Sequence, residues 1–287
     1  MKIIVTGSSG FIGAELVKYF AAKGYQVLAM QRKAPVSLLE GVDFQSYDLS
    51  MPVNTSKFGG ATYLIHTAYQ PYSRRNTAAN SINYSGTAGL IDACKKSGIK
   101  IIFLSTMSAH DRAKSNYGKT KLQLENIFDQ KKDLVLKLGL VLGNGGLFDT
   151  IVNVIENRRF VPIIGQCKLI QTVAMHDLLN LIEVSMKNRI TGNYPVGEPN
   201  PVSLRTLYKA IATAVSRKPL FIPVPLDVIH ILCFIAEMVG IKLPITTENV
   251  LGLKRMRSFE TEEALKPFGF QLSPYYSFLD NLERSRH

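Results

Sequence analysis

The sequence has few cysteines, no internal repeat and no long uninterrupted apolar run. Its three cysteines, Cys94, Cys167 and Cys233, are odd in number and far apart. That spacing excludes a disulfide framework and a cysteine metal cluster, and it predicts a reduced, cytoplasmic compartment. The longest apolar stretch, residues 226–241, is short and interrupted by charged side chains, so it predicts a packed amphipathic helix rather than a membrane span. No signal-peptide pattern precedes the first apolar run, which also predicts a cytoplasmic protein.

The composition is that of an ordinary globular protein with excess positive charge. Of 287 residues, 46% are hydrophobic and 20% are charged, which excludes disordered, collagen-like and coiled-coil chains. Lys and Arg total 34 against 22 Asp and Glu, a net charge of +12. The cations lie in scattered pairs such as Lys95-Lys96 without a nucleic-acid motif, so nucleic-acid binding is not expected. Peripheral contact of the helix near residues 226–239 with anionic lipid is kept as a less favoured alternative.

Short apolar runs alternate with helical patterns up to about residue 140. Strands are predicted at Lys2–Thr6, Gln26–Met30, Val42–Tyr47, Thr62–His66, Lys100–Ser105 and Leu134–Leu138. This alternation predicts an α/β fold with a Rossmann-type, doubly wound parallel sheet. We expect residues 1–145 to form a dinucleotide-binding domain, joined by a later strand near residues 193–197. The rest of residues 146–287 should form a smaller, mostly helical substrate-binding region.

The glycines at the start of the chain predict a phosphate-binding turn. Gly7, Gly10 and Gly13 follow the first strand and open the first helix. Gly7 permits the tight turn, Gly10 lets the backbone approach a pyrophosphate, and Gly13 allows close packing of helix on strand. The alternative is a glycine-rich turn without a ligand, but the strand–turn–helix context favours a dinucleotide.

The end of the second strand indicates which dinucleotide is bound. NAD-binding proteins place a carboxylate there, whereas this chain has Gln31, Arg32 and Lys33. Two successive cations favour the 2′-phosphate of NADP, with NAD as the alternative. Asp48, after the third strand, is a candidate for binding adenine, although turn-capping aspartates are common.

Tyr117 and Lys121 have the spacing of a proton-transfer pair. At positions i and i+4 they lie on one face of a predicted helix, and a nearby cation is what a tyrosine needs to act near neutral pH. Tyr19 and Lys23 repeat the spacing in the first helix, so the pattern alone is weak. Only Tyr117 lies downstream of a strand that ends in hydroxyl residues, at 105–108.

With these motifs the chain resembles the extended short-chain dehydrogenase/reductase family, also called the NAD-dependent epimerase/dehydratase family. The resemblance rests on Thr6–Gly13, Asp48-Leu49, residues 64–68, Asn83, Ser105-Thr106, Tyr117-x-x-x-Lys121 and residues 140–143. It implies that Tyr117 is the general acid or base, that Lys121 holds the nicotinamide ribose and lowers the tyrosine pKa, and that Thr106 hydrogen-bonds the reacting oxygen. Ser105 and Ser108 are alternatives to Thr106, whose hydroxyl could instead only cap a turn.

The resemblance also implies binding residues. The expected cofactor contacts are Gly7, Ser9, Gly10, Phe11, Ile12, Gly13, Gln31, Arg32, Lys33, Asp48, Leu49, Thr67, Ala68, Tyr69, Asn83, Ser105, Tyr117, Lys121, Gly139 and Leu140. The expected substrate contacts are Tyr69, Thr106, Asn144, Lys168, Arg255 and Arg257. The family's usual arginine before residues 173–178 is missing, and Lys168 or Gln171 is expected to replace it, or Arg255 and Arg257 to bind phosphate instead.

The implied activity is that of an oxidoreductase on a nucleotide-linked sugar. Because residues 31–33 favour NADP, we expect NADPH-dependent reduction of a 4-keto-sugar, as in bacterial polysaccharide biosynthesis. A redox-neutral, NAD-dependent epimerase or dehydratase is the first alternative, and a non-catalytic dinucleotide-binding protein is the second. The family also implies a homodimer.

Overall fold

The computed structural model describes residues 1–72, 76–241, 243 and 245–284. The chain divides into two compact units. The first comprises Met1–Ser105, Thr120–Lys137 and Leu179–Tyr194, and the second comprises Thr106–Lys119, Leu138–Leu178 and Pro195–His287. The expected roles of residues 1–145 and 146–287 stay predictions.

The strands and helices alternate regularly only in the first half of the chain. The strands are β1 (Lys2–Thr6), β2 (Gln26–Gln31), β3 (Val42–Ser46), β4 (Ala61–His66), β5 (Lys100–Thr106), β6 (Leu134–Leu138), β7 (Leu140–Leu142), β8 (Phe160–Ile164), β9 (Leu169–Ile170), β10 (Thr172–Ala174), β11 (Gly192–Val196), β12 (Val202–Ser203) and β13 (Leu220–Val224). The helices are α1 (Phe11–Ala22), α2 (Ala79–Lys96), α3 (Asn116–Glu125), α4 (Gly146–Asn157), α5 (Met175–Lys187), α6 (Leu204–Ala214), α7 (Leu226–Met238), α8 (Thr247–Lys254), α9 (Glu262–Leu265) and α10 (Tyr275–Arg284), with a 3-10 turn at Lys266–Phe268.

The first unit is built on a seven-stranded parallel sheet in the order β11-β6-β5-β4-β1-β2-β3. β1 pairs in parallel with β2 on one side and with β4 on the other. Ile3, Ile4 and Val5 are fully buried. Helices cover both faces of the sheet, so successive residues of β1 are apolar instead of alternating between apolar and polar. The predicted Rossmann-type α/β class is therefore confirmed.

Helix α3, which carries Tyr117, is 10 residues long. It ends at Glu125 because a turn follows, in which the Lys132 and Asp133 amides donate to the Asp129 carbonyl. The Asp133 carboxylate then accepts from the Ile101 amide at 3.1 Å, and this bond fixes the turn against β5.

The second unit contains three two-stranded sheets beside its helices. β7 pairs with β10, β9 with β12, and β8 with β13. The β8–β13 pair was not expected, because each strand carries a proline, Pro162 or Pro223, that reads as a break in a strand pattern. Proline is tolerated in such small, edge-exposed sheets. The core of this unit includes Phe148, Leu207 and Ile211.

Helix α7 is less covered than the predicted packed helix. It buries Cys233 and Ala236, whereas Ile231, Leu232 and Ile235 are each more than half exposed. Across the described ranges, every helix falls short of the length and apolar character that spanning a bilayer requires.

Candidate active site

The glycine-rich turn after β1 has the predicted geometry. Gly7 has a positive φ of 68°, and a Cβ there would lie 2.7 Å from the Ala68 amide. A Cβ on Gly13 would lie 2.2 Å from the Gly7 carbonyl oxygen, so α1 packs against the turn as closely as a glycine allows. Gly10 is the N-cap of α1 and offers no side-chain cap, which leaves the first amides of that helix available to an anion.

The turn forms one wall of a cavity of about 230 Å³ in the first unit. Ten of the predicted cofactor residues meet there, together with four others. The lining is Gly7, Ser9, Gly10, Met30, Gln31, Arg32, Tyr47, Asp48, Leu49, Thr67, Ala68, Tyr69, Gln70 and Pro71. The Tyr47 hydroxyl is buried at this wall without a hydrogen-bond partner, as expected where a ligand supplies the partner. The residues present therefore fit the phosphate and adenosine portions of a dinucleotide.

Other predicted cofactor residues lie next to this lining. Phe11, Ile12 and Gly13 form the first turn of α1. Lys33 is exposed one residue beyond Arg32. Asn83 is buried, and its side-chain amide makes two 2.8 Å hydrogen bonds to the backbone of Gln70, so it shapes the loop after β4 that lines the cavity.

The end of β2 carries an amide where NAD-binding proteins carry a carboxylate. The Gln31 side chain accepts from the Ser8 hydroxyl at 2.9 Å and donates to the Lys33 carbonyl at 2.8 Å. Asp48 accepts from the amide and the hydroxyl of Ser50, as a turn-capping aspartate does. These hydrogen bonds, and to a smaller degree the charge of Arg32, lower the pKa of Asp48.

Lys121 is a buried cation of the first unit. Its Nζ donates to the Leu104 carbonyl at 2.7 Å and lies 4.5 Å from the Phe103 ring centroid and 5.1 Å from that of Tyr69. Burial lowers the pKa of Lys121 to about 7, while the negative charge of Glu125 raises it in part. The side chain is thus positioned by aromatic rings and a carbonyl, with its proton available near neutral pH.

Ser105 is not available to a substrate. Its hydroxyl donates to the buried Glu125 carboxylate, which also forms a 2.9 Å ion pair with Lys137. This contact favours Thr106 over Ser105 as the hydroxyl donor.

Thr106 and Tyr117 meet within the second unit. The two side chains are hydrogen-bonded, and the Thr106 hydroxyl also accepts from the Ser108 amide at 3.2 Å. Although 38% of the Tyr117 residue is exposed, burial of its phenol raises the pKa of Tyr117, and the hydrogen bond with Thr106 lowers it in part. Thr106 thus has both the turn-capping role and the contact with the candidate acid.

A contact missed from sequence positions the start of α3. The Glu248 carboxylate accepts from the Asn116 side chain at 2.9 Å and from the Tyr117 amide at 3.3 Å. A carboxylate at a helix N-terminus is favourable because the first amides lack helical partners. Glu248 lies 131 residues further along the chain, so no local pattern could have indicated it.

Thr106 and Tyr117 open onto a cavity of about 370 Å³ in the second unit. Gly139 and Leu140, two predicted cofactor residues, line it. A Cβ on Gly139 would lie 2.2 Å from the Gln171 carbonyl oxygen, so close strand packing requires glycine there. The Gln171 side chain donates to the Phe259 carbonyl and accepts from the Phe259 amide, so it anchors this segment and has no capacity left for a phosphate.

The predicted substrate residues of the second unit do not all line this cavity. Arg257 lines the cavity, but it is paired with Asp111 at 3.2 Å. Lys168 lies in a separate groove beside residues 223–226. Arg255 is the exposed C-cap of α8, and Asn144 is exposed in the segment before α4. Tyr69 belongs to the cavity of the first unit.

Comparison with known proteins confirms the resemblance for the first part of the chain. Residues 3–131 match the model of the NAD dependent epimerase/dehydratase family. A ceramide reductase from Caulobacter vibrioides is 29% identical over 124 residues, which cover 42% of this chain and 39% of that protein. A 2-alkyl-3-oxoalkanoate reductase from Stenotrophomonas maltophilia is 32% identical over 124 residues, 39% of this chain and 36% of that protein. The matches thus span well under half the length of these relatives.

The fold is shared along the whole chain with a solved structure. MoeE5 in complex with UDP-glucuronic acid and NAD superimposes with a TM-score of 0.74 at 18% identity, covering 100% of both chains. At that identity the likeness shows the fold.

Proposed function

We propose that this chain, whose residues 3–131 match the NAD dependent epimerase/dehydratase family model, is an NADPH-dependent ketone reductase. The substrate expected from sequence is a nucleotide-linked 4-keto-sugar. The observation that carries the proposal is the hydrogen-bonded pair of Thr106 and Tyr117 at the wall of a cavity. The names of the ceramide and 2-alkyl-3-oxoalkanoate relatives both describe reductions, which supports reduction over a redox-neutral reaction.

Tyr117 suits the role of proton donor. Burial raises the pKa of its phenol above the ordinary value of 10.0, so the hydroxyl stays protonated at neutral pH. A ketone oxygen placed between Thr106 and Tyr117 would accept hydrogen bonds from both hydroxyls. As negative charge develops on that oxygen, Thr106 stabilises it and Tyr117 transfers its proton.

The first unit supplies the cofactor-binding residues. When bound, NADPH supplies the hydride. The turn at Gly7–Gly13 and the uncapped first amides of α1 would hold the phosphates. The loop after β4, which Asn83 holds in place, would form another wall of the site. Lys121, buried and able to hold a proton near neutral pH, would bind the ribose hydroxyls, as the resemblance implies.

The preference for NADPH is argued from charge. Arg32 lines the adenosine side of the cavity, directly after Gln31. Guanidinium groups bind phosphates through paired hydrogen bonds, whereas a carboxylate at the end of β2 would repel the 2′-phosphate. The expected homodimer stays a prediction, which light scattering of the purified protein would test.

The deciding experiment measures redox stoichiometry. Purified protein is mixed with NADPH and, in separate reactions, a UDP-linked 4-keto-sugar and a panel of methyl ketones. We expect one NADPH oxidised for each alcohol formed. Interconversion of two UDP-sugars without net loss of NADPH would instead identify a redox-neutral epimerase.

A further inference from the structure

The cavity of the second unit is mostly apolar. Apart from Thr106 and Tyr117, its walls are formed largely by aliphatic and thioether side chains, among them Met107, Leu147, Ile151, Leu169, Leu253 and Met256. We infer that the substrate carries a hydrocarbon chain, which occupies this cavity while the ketone lies at Thr106 and Tyr117. The inference rests on the proposed reductase activity and names its substrate class.

Three polar side chains of the wall are engaged within the protein. The Gln171 amide is hydrogen-bonded to the Phe259 backbone, and the Glu248 carboxylate to the start of α3. The Asn249 side chain accepts from Thr246 in the capping box of α8. Against the aliphatic part of this wall a sugar ring would leave several of its hydroxyls unpaired, whereas a hydrocarbon chain has no polar group to satisfy.

The charge of the wall also disfavours a diphosphate. Arg257 pairs with Asp111 at 3.2 Å, and its guanidinium lies 4.6 Å from the Phe259 ring centroid. The other expected phosphate ligands, Lys168 and Arg255, lie outside the lining. The carboxylate of Glu248 faces the same cavity. A nucleotide diphosphate here would meet the cation of Arg257, which Asp111 already pairs, and the carboxylate of Glu248, which would repel it.

Chain length is the variable that tests the inference. The rate of NADPH oxidation is measured with 2-butanone, 2-hexanone, 2-octanone and 2-decanone, and with a UDP-linked 4-keto-sugar. We expect kcat/KM to rise about fourfold for each added methylene until the chain fills the cavity, because each buried methylene contributes about that factor. A flat series, or a kcat/KM for the UDP-sugar above that for 2-decanone, would overturn the inference and leave the reductase assignment intact.

Matched variants place the chain in this cavity. Leu147 and Leu169 line it and are 49% and 48% exposed, so replacement by glutamine should not unfold the protein. We expect L147Q and L169Q each to lower kcat/KM for 2-decanone roughly three- to tenfold and to leave that for 2-butanone within about twofold. L232Q is the control, because Leu232 is 51% exposed on α7 and lies outside the lining. Equal losses in all three variants would refute the placement.

A binding measurement separates the two proposals. Calorimetry of 2-decanone with NADP+ present reports occupancy without turnover. Binding that weakens in L147Q and L169Q but not in L232Q would support the hydrocarbon site even if no ketone oxidised NADPH, and the reductase proposal alone would then fail. Absence of 2-decanone binding, with reduction of 2-butanone retained, would refute the hydrocarbon site alone.

Discussion

Replacing the buried Lys121 by methionine should stabilise the protein near neutral pH. Burial lowers the pKa of Lys121 from 10.5 to about 7, a difference worth about 5 kcal/mol at about 1.4 kcal/mol per pH unit. Between these two pH values the unfolded chain holds a proton that the folded chain does not. The free energy of unfolding of the native protein therefore rises as the pH increases through this range and is reduced at pH 7 and below.

The Lys121→Met variant removes this penalty together with one hydrogen bond. Losing the bond to the Leu104 carbonyl leaves a buried acceptor unpaired, at about 1–3 kcal/mol. The net gain near pH 7 is therefore roughly 2–4 kcal/mol. Near pH 10 the gain should vanish or reverse, because the native lysine is then neutral in the folded state.

Urea unfolding of the native protein and of the Lys121→Met variant between about pH 7 and about pH 10 gives the difference between their free energies of unfolding. The contributions of the other titrating groups cancel in this difference. Lys119→Met is the control, since Lys119 is exposed on the same helix α3, and it should change the free energy of unfolding by less than about 0.5 kcal/mol at every pH. A difference between K121M and the native protein that is independent of pH would refute the reasoning.

Two further predictions concern the cofactor site. Gly13→Ala should lower the free energy of unfolding, measured in urea, by about 2–3 kcal/mol, because its Cβ would lie 2.2 Å from the Gly7 carbonyl oxygen. Gly252→Ala is the control: a Cβ there has nothing within 4 Å, so this change in α8 should be neutral or slightly stabilising. Equal effects of the two substitutions would contradict the packing argument. Arg32→Ala should raise KM for NADPH about tenfold, because it removes a charge-assisted hydrogen bond to the 2′-phosphate, and such a bond contributes about that factor to binding. The same change should leave KM for NADH within about twofold. Equal losses with both cofactors would exclude Arg32 as the ligand of the 2′-phosphate.

The first unit could be predicted because its signals are local. The apolar strands β1 and β5 and the turn with Gly7 and Gly13 each lie within a few residues of chain, and a sheet covered on both faces leaves continuous apolar runs. The amide at Gln31, in place of a carboxylate, is likewise visible in the sequence.

The second unit could not be predicted to the same depth because its contacts are long-range. Glu248 reaches the start of α3 across 131 residues, and Gln171 pairs with the Phe259 backbone across 88. Charge alone points to Lys168 as a phosphate ligand, whereas Lys168 lies beside residues 223–226 at the end of β13. The pairing of β13 with β8 is concealed in the sequence by the proline that each strand carries.

The most direct test of the central claim is the rate of a single turnover in the Tyr117→Phe variant. With NADPH and a reducible ketone, we expect hydride transfer to slow by a factor of about 100 to 10,000, the usual contribution of a general acid, while Kd for NADPH stays within about twofold. Tyr19→Phe removes the hydroxyl of the other Tyr-x-x-x-Lys copy, which bonds Glu183 and Asn180, and should retain the native rate. A Tyr117→Phe variant that turns over within about threefold of the native rate would contradict the account.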